Sequence, residues 1–287
     1  MSIADIRRSY HKAVFADILR VSRPRIEGGY PNFADGSSVL SVQYAWGIVE
    51  RIALPALQGQ IPGQTAGSLF EKTTRDYVEA SFSKLQHIRP GAWEHSCLGT
   101  AISNFVQYEH LSEIEAMLAD NRALKAAFGG NYIVSPDIVI GRAPIEDAEL
   151  NQDGILDKSG DTYARHTPVR ASNQTNRRHL LHGVISCKWT LRNDRAQNTK
   201  TEVLNLIRNR KGHLPHIVAV TAEPLPSRLA ALALGTGDLD CVYHFALNEL
   251  LDAVGDANHL DAIDLLEMMV EGKRLRDISD LPFDLAA

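Results

Sequence analysis

An α/β fold, with a mixed β-sheet flanked by α-helices, follows from three features of the 287-residue sequence. Apolar runs rich in β-branched residues alternate along the second half with stretches of helical period. The composition, 44% hydrophobic and 23% charged, is that of an ordinary folded chain. No repeat, low-complexity tract or long linker interrupts it, so residues 1–287 read as a single domain. No apolar run reaches the roughly 18 residues that a membrane helix needs. The start, "MSIADIRRSYHKAVFADILRV", lacks the unbroken apolar stretch of an export signal. Cys97, Cys187 and Cys241 form no CxxC pair, and a reducing cytoplasm suits them.

Taken in order, residues 2–21 carry apolar side chains at helical spacing and read as an amphipathic helix. "GGYPNFADGSSV" crowds Gly, Pro, Asn and Asp into a loop. A second helix covers about 39–57, "GQIPGQTAGS" is a further Gly/Pro loop, and "LFEKTTRDYVEASFSKLQHI" is the helix after it. "SEIEAMLADNRALKAAFGG" is helical up to a glycine stop. "NYIVSPDIVIG" reads as a strand and residues 151–178 as a polar, loop-rich insertion. "HGVISCKWTL", "HIVAVTAE" and "DCVYHFAL" are strands, separated by helical stretches over 194–210 and in "PSRLAALALG". The end, "ALNELLDAVGDANHLDAIDLLEMMVEGKRL", is helical, with Met268 and Met269 in the core.

The net charge of −5 argues against a nucleic-acid binder, but the distribution does not. Between residues 165 and 212 eleven Lys/Arg stand against two Asp/Glu, a net +9 that leaves −14 for the rest of the chain. One basic face on an acidic body suits a polyanionic partner, although a solvated face accounts for the tally equally well. The sharper signal is in "HGVISCKWTL". Strand alternation puts Ile185, Cys187, Trp189 and Leu191 on one face and Val184, Ser186, Lys188 and Thr190 on the other. A lysine there needs an anionic partner, or an edge position from which it reaches water. Asp137, just after Pro136 at the centre of another apolar strand, is equally awkward. The two charges can satisfy each other, or share a divalent cation and a phosphate. In the second case Asp137 supplies a hard oxygen ligand, and Lys188 holds the attacking water or stabilises charge developing on the phosphate. That is the chemistry of metal-dependent phosphodiester cleavage.

Other motifs are set aside. The HxxH spacings in "RRHLLHG" and "HLPH" lack a third ligand and read as surface or phosphate contacts. "NQDGILDKSGD" lacks the ligand order of a calcium loop, and "LGTGDLD" precedes a strand where a dinucleotide loop follows one.

Asp137 and Lys188 resemble the signature of the PD-(D/E)xK nuclease superfamily. Most members carry an acid two residues before the lysine, where this chain has Ser186. Glu202, thirteen residues beyond Lys188, can supply the missing carboxylate from the following helix, on a stripe with Arg195, Asn198, Leu206 and Asn209. That order is similar to the permuted site of the NgoMIV-like, CCGG-recognising type II restriction enzymes. The blocks "SCKWTLRNDRAQN", "LNLIRNRKGHLPHIVAVTAEPLPSR", "LGTGDLDCVYHFAL", "KRLRDISDLPFDLA", "PGQTAGSLFE", "LQHIRPG" and "ADGS" carry the same resemblance.

The resemblance implies a restriction-endonuclease-like core and a role for each matched residue. Asp137 is then the carboxylate between metal and scissile phosphate, and the Cys187 carbonyl a further metal ligand. Lys188 is the catalytic lysine, Glu202 the relocated acid, and Ser186 the position that the acid has left. Glu71 in "SLFE" is an additional active-site glutamate acting on metal through water. The implied cofactor is Mg²⁺ in a two-metal arrangement. Arg192 and Arg195 in "RNDR" would donate to guanine O6 and N7, and Asp194 would accept from cytosine N4, to read the central CCGG. Asp35, Ser37 and Arg228 match readers of the outer G·C pair, and Gln64 a minor-groove contact. The target is then double-stranded GCCGGC, cut after the first G. A palindrome implies a homodimer, and the family resemblance a homotetramer that binds two DNA sites. The implied location is a bacterial cytoplasm, away from membranes. Two other readings stay open at this point: a repair or junction-resolving nuclease on the same scaffold, and a non-catalytic DNA-binding protein.

Overall fold

The computed structural model describes residues 1–22, 28–97, 99–119, 121, 134–156, 163–191, 193–234 and 238–287, with the backbone alone over 193–196. Helix α1 (Ile3–Ala13) opens on a capping box in which Ser2 and Asp5 exchange side-chain and backbone bonds. It runs into a π-helical turn, Val14–Ile18, and leaves it as strand β1 (Arg20–Ser22), so the predicted helix over 2–21 stops at 18. Strand β2 (Tyr30–Pro31) follows, then α2 (Val39–Ile52), β3 (Leu57–Gln58) and α3 (Gly63–Phe82). β1 pairs with β2 antiparallel and with β3 parallel in a small separate sheet. α2 ends five residues before the predicted boundary, at Ala53 in the left-handed region. α3 begins inside the segment read as a loop. Pro62 precedes it, and a helix start is where a proline costs no backbone hydrogen bond.

The main sheet is built from the rest of the chain. Its parts are β4 (Trp93–Ser96), α4 (Glu109–Ala119), β5 (Ile138–Arg142), α5 (Asp147–Leu150), β6 (Leu180–Lys188), α6 (Asn193–Asn209), β7 (His216–Thr221), α7 (Pro226–Ala233), β8 (Cys241–His244), α8 (Leu247–Ala257), α9 (Leu260–Glu271), β9 (Leu275–Asp277) and α10 (Leu281–Ala286). Six strands run in the order β4-β5-β6-β7-β8-β9. The β4/β5 and β5/β6 pairs are antiparallel and the remaining pairs parallel, so the sheet is mixed as expected. β4 lies in a stretch to which the sequence reading gave no element, and β9 begins at Leu275, the last residue of the predicted C-terminal helix. α4 covers the first part of the helix predicted over 112–130; residues 122–130, and 131–133 of the strand predicted over 131–141, lie outside the described residues.

β6 is the centre of this architecture. Residues 183–187 are buried one after another, which requires cover on both faces. α3 packs against β4 and β6 and is backed by α1 and α10. On the other face Val184 and Ser186 share a small cavity with Thr199, Glu202, Val203 and Leu206 of α6. α6 packs on α7, and α7 on α9. Met269 is fully buried, whereas Met268, expected in the core, is half exposed. His182 is no surface or phosphate contact. Its ring lies 4.7 Å from that of Trp93, its Nε2 pairs with the Leu285 carbonyl at 2.7 Å, and burial pushes its pKa down to about 4.

One polar clasp ties the chain's beginning to its end. Arg7 of α1 donates to both oxygens of Asp277 in β9, at 2.9 and 2.8 Å, and to both of Glu249 in α8, at 2.8 and 2.7 Å. Asp277 also accepts from the Leu247 amide that starts α8. Truncating the arginine leaves two part-buried carboxylates facing each other. Arg7→Ala should therefore lower unfolding stability by about 3 kcal/mol, read as a shift in urea midpoint. Arg7→Lys should recover only part of that, since one ammonium cannot serve two forks.

Candidate active site

The C-terminal end of β6 meets the start of β5. In the antiparallel register Ile138 faces Ile185, which brings Asp137, one residue earlier, opposite Ser186. Asp137 therefore stands at the entrance to its strand and not at the centre, where the sequence placed it. Its Oδ2 accepts from Lys188 Nζ at 2.8 Å, from the Cys187 amide at 2.7 Å and from Ser186 Oγ at 3.4 Å. The lysine needed an anion, and this is the one it has. Burial works against the Lys188 ammonium, but the charge and hydrogen bond of Asp137, with the charge of Glu202, outweigh it and raise its pKa. The Cys187 side chain is buried away from the cleft; its N–H points at Asp137, and in a strand the carbonyl of a residue points the same way as its N–H. The Lys188 carbonyl points oppositely, accepting from Thr221 Oγ1 at 2.8 Å and the Ala222 amide at 3.3 Å.

Two more carboxylates close on this pair, one from each side of the sheet. Glu202 comes from α6, over the face that carries Ser186. Its pKa is raised by burial and by Asp137, with Lys188 opposing. Glu71 comes from α3. Burial first, then the charge of Asp137, lifts its pKa to about 7 against the pull of Lys188. Residues 137, 188, 202 and 71, scattered through the sequence, thus share one electrostatic neighbourhood.

A cleft of about 660 Å³ opens beside the site, lined by Tyr30, Asn32, Asp35, Ser37, Thr190 and Arg228 among others. Asp35 Oδ1 accepts from the Ser37 hydroxyl at 2.6 Å and the Ser37 amide at 3.0 Å, while Oδ2 pairs with Arg228. These contacts, those of Ser37 foremost, hold the Asp35 carboxyl down to about 2. Gln64 lies exposed in the first turn of α3, between Gly63 and Ala66 of the cleft wall. Glu71 follows seven residues later, about two turns along the same helix face. Arg192 lies outside the described residues, and of Asp194 and Arg195 only the backbone, within α6, is described.

The description "NgoMIV restriction enzyme" belongs to the family model that matches residues 10–287. The chain is also 47% identical, over 98% of its own length and 97% of the relative's, to the type II restriction enzyme NgoMIV of Neisseria gonorrhoeae. This chain belongs to the NgoMIV restriction enzyme family.

Thr221 and Glu223 also belong to the neighbourhood of the site, and the sequence reading passed over both. The Thr221 hydroxyl, fully buried, fixes the carbonyl of Lys188. Glu223, also fully buried, accepts from the Leu191 amide at 2.9 Å. Its signal was present in "HIVAVTAEP", where a glutamate ends an apolar strand just as Asp137 begins one.

Excess negative charge around a single lysine costs stability. Glu71 is easier to protonate in the folded chain than a free glutamate, whose pKa is 4.5, so its penalty is absent below about pH 4.5, grows as pH rises toward 7 and is complete above it. Glu71→Gln should therefore raise unfolding stability by about 1 kcal/mol at pH 8, after allowance for solvent screening, and change it little at pH 4.5. Thermal unfolding of both proteins at the two pH values tests this; an equal effect at both would show that Glu71 is not electrostatically crowded.

Proposed function

We propose that this protein is a type II restriction endonuclease that hydrolyses one phosphodiester in each strand of GCCGGC, after the first G, with Mg²⁺ as cofactor. The observation that carries the proposal is the Lys188–Asp137–Cys187 cluster in a chain 47% identical to a type II restriction enzyme. The donor set suits a hard cation: the Asp137 carboxylate and the Cys187 carbonyl beside it are oxygen ligands. Among the described residues no three His, Cys, Asp or Glu side chains form a ready-made metal site. The rest of the shell would then be water and phosphate oxygen, the usual manner of Mg²⁺. Bound there, Mg²⁺ would supply Lewis-acid activation and charge neutralisation at the phosphate.

The chain's own groups do the positioning. Lys188, kept charged by Asp137 and Glu202, stabilises negative charge on the phosphate as water attacks. Hydrolysis breaks the bond from phosphorus to the 3′ oxygen and leaves a 5′ phosphate. Ser186 steadies Asp137 from the position where most relatives of the wider superfamily carry an acid, and Glu202 restores that charge from α6. Glu71, across the sheet, acts through water. Asp35, Ser37 and Arg228 read the outer G·C pair and Gln64 the minor groove, while Arg192, Asp194 and Arg195 read the centre. Each bidentate base contact is worth about 1–3 kcal/mol of discrimination. A two-fold palindrome calls for a homodimer with one site per strand, and two dimers pair into a tetramer on two DNA sites.

A digest of a sequenced plasmid with Mg²⁺ and with EDTA tests the whole reading. Discrete fragments whose ends map to GCCGGC support it; a smear points to an unspecific nuclease, and binding without cuts to a DNA-binding protein. Asp137→Ala should abolish cleavage and leave specific binding largely intact; cleavage that persists would falsify its part in metal binding. Binding of the intact enzyme should weaken by about 10³-fold or more between 50 and 200 mM salt if several phosphates are neutralised; a flat response would remove the basic face from the account.

A further inference from the structure

Glu223 takes no part in the chemistry above, yet it sits where two parts of the proposed machine touch. It follows β7 and precedes α7, and its side chain is fully buried. One oxygen, Oε2, accepts from the Leu191 amide at 2.9 Å and lies 3.7 Å from Arg228 Nη1. The other, Oε1, accepts from the Leu225 amide at 3.2 Å. Its own amide bonds Thr221 Oγ1 at 3.1 Å, the same hydroxyl that holds the Lys188 carbonyl. The segment from Lys188 to Leu191 is thus gripped at both ends by one short stretch of chain: its first carbonyl by Thr221, its last amide by Glu223. Leu191 immediately precedes Arg192, and Arg228 is the other partner of the Asp35 carboxylate.

A buried carboxylate is an expensive choice for this corner. Burial lifts its pKa to about 7, and the Leu191 amide, the Arg228 guanidinium and the Leu225 amide pull it back only in part. A backbone turn could be closed by a neutral side chain at lower cost. What a carboxylate adds is a bond to the Leu191 amide that strengthens or slackens with the position of the Arg228 charge.

We infer that Glu223 is a positioning residue that couples the outer-base reader Arg228 to the catalytic strand through the Leu191 amide. The inference rests on the proposed reading of Arg228 and is tested so that the two can fail separately. Glu223→Gln keeps the shape and replaces one acceptor oxygen with a donor. In the free protein, amide exchange over residues 189–192 should accelerate about tenfold in this variant, the loss expected for one hydrogen bond to a charged group. On a GCCGGC duplex with Mg²⁺, kcat should fall about tenfold while KM changes by less than about threefold. The kcat/KM ratio between GCCGGC and a duplex altered at its outer pair should shrink by about the same factor, an effect that mere loosening of the fold does not produce. Should Glu223→Gln not fold, Arg228→Gln serves as the second probe, with exchange over 189–192 rising about threefold. Unchanged exchange at 189–192, or an unchanged discrimination ratio, overturns the coupling. A parent enzyme that cuts neither duplex overturns the nuclease reading instead, and the exchange measurement still decides the role of Glu223.

Discussion

The contact between Lys188 and Asp137 is the constraint on which the rest of the site depends. A lysine ending a strand enclosed on both faces must be paired, and the partner must reach it from a neighbouring strand. That fixes where β5 begins: its first paired residue faces Ile185, so the residue before it faces the polar end of β6. The pair then carries two further carboxylates, Glu202 and Glu71, which it cannot neutralise. Their raised pKa values are the trace of that imbalance. Three carboxylates around one ammonium leave the site with unbalanced negative charge, as clusters of shifted carboxylates at functional sites do.

The same strand end organises the cleft beside it. β6 and β7 run parallel with Lys188 beside Thr221, so whatever follows Thr221 lies beside whatever follows Lys188. One continuation leads through Trp189, packed among Phe33, Phe70 and Phe245, to residue 192 and the block after it. The other leads through Glu223 to Arg228 and, across the cleft, to Asp35. Parallel pairing therefore brings the segments after β6 and β7 together at the end of the sheet where the lysine stands, the end where ligands gather on parallel strands. The aromatic packing under Trp189 gives that corner a rigid floor.

How much of this was legible in the sequence differs from element to element. β6, β7 and β8 announced themselves, because strands enclosed on both faces leave long apolar runs. Asp137 and Lys188 were legible for the opposite reason, as charges that such runs cannot tolerate alone. The start of α3 was hidden by "PGQTAGS", whose proline and glycines read as a loop although a proline is harmless where a helix begins. The end of α2 was hidden because Ala53, with no glycine to mark it, takes the left-handed cap. β9 is three residues long and follows directly on a helix, so no alternation can show. β4, "WEHS", is a short edge strand with half-polar composition. The meeting of Asp35 with Arg228 spans 193 residues, and no local pattern announces a contact of that kind; the resemblance only grouped the two as readers of one base pair.

The basic segment shows why a charge tally from sequence overstates what is available to DNA. Eleven Lys/Arg between residues 165 and 212 suggested one continuous cationic face. Among the described residues, three of them are matched by acids from outside the segment: Arg170 by Asp147, Arg177 by Glu146 and Lys188 by Asp137. The first two stitch the polar insertion to the turn α5, and the third belongs to the active site. Among the described residues, Arg208 stands in the last turn of α6 and Arg210 just beyond it. The same helix delivers Glu202 inward, over the face of the sheet that carries Ser186. The carboxylate that the strand position of Ser186 lacks is thus supplied from the helix packed over that face.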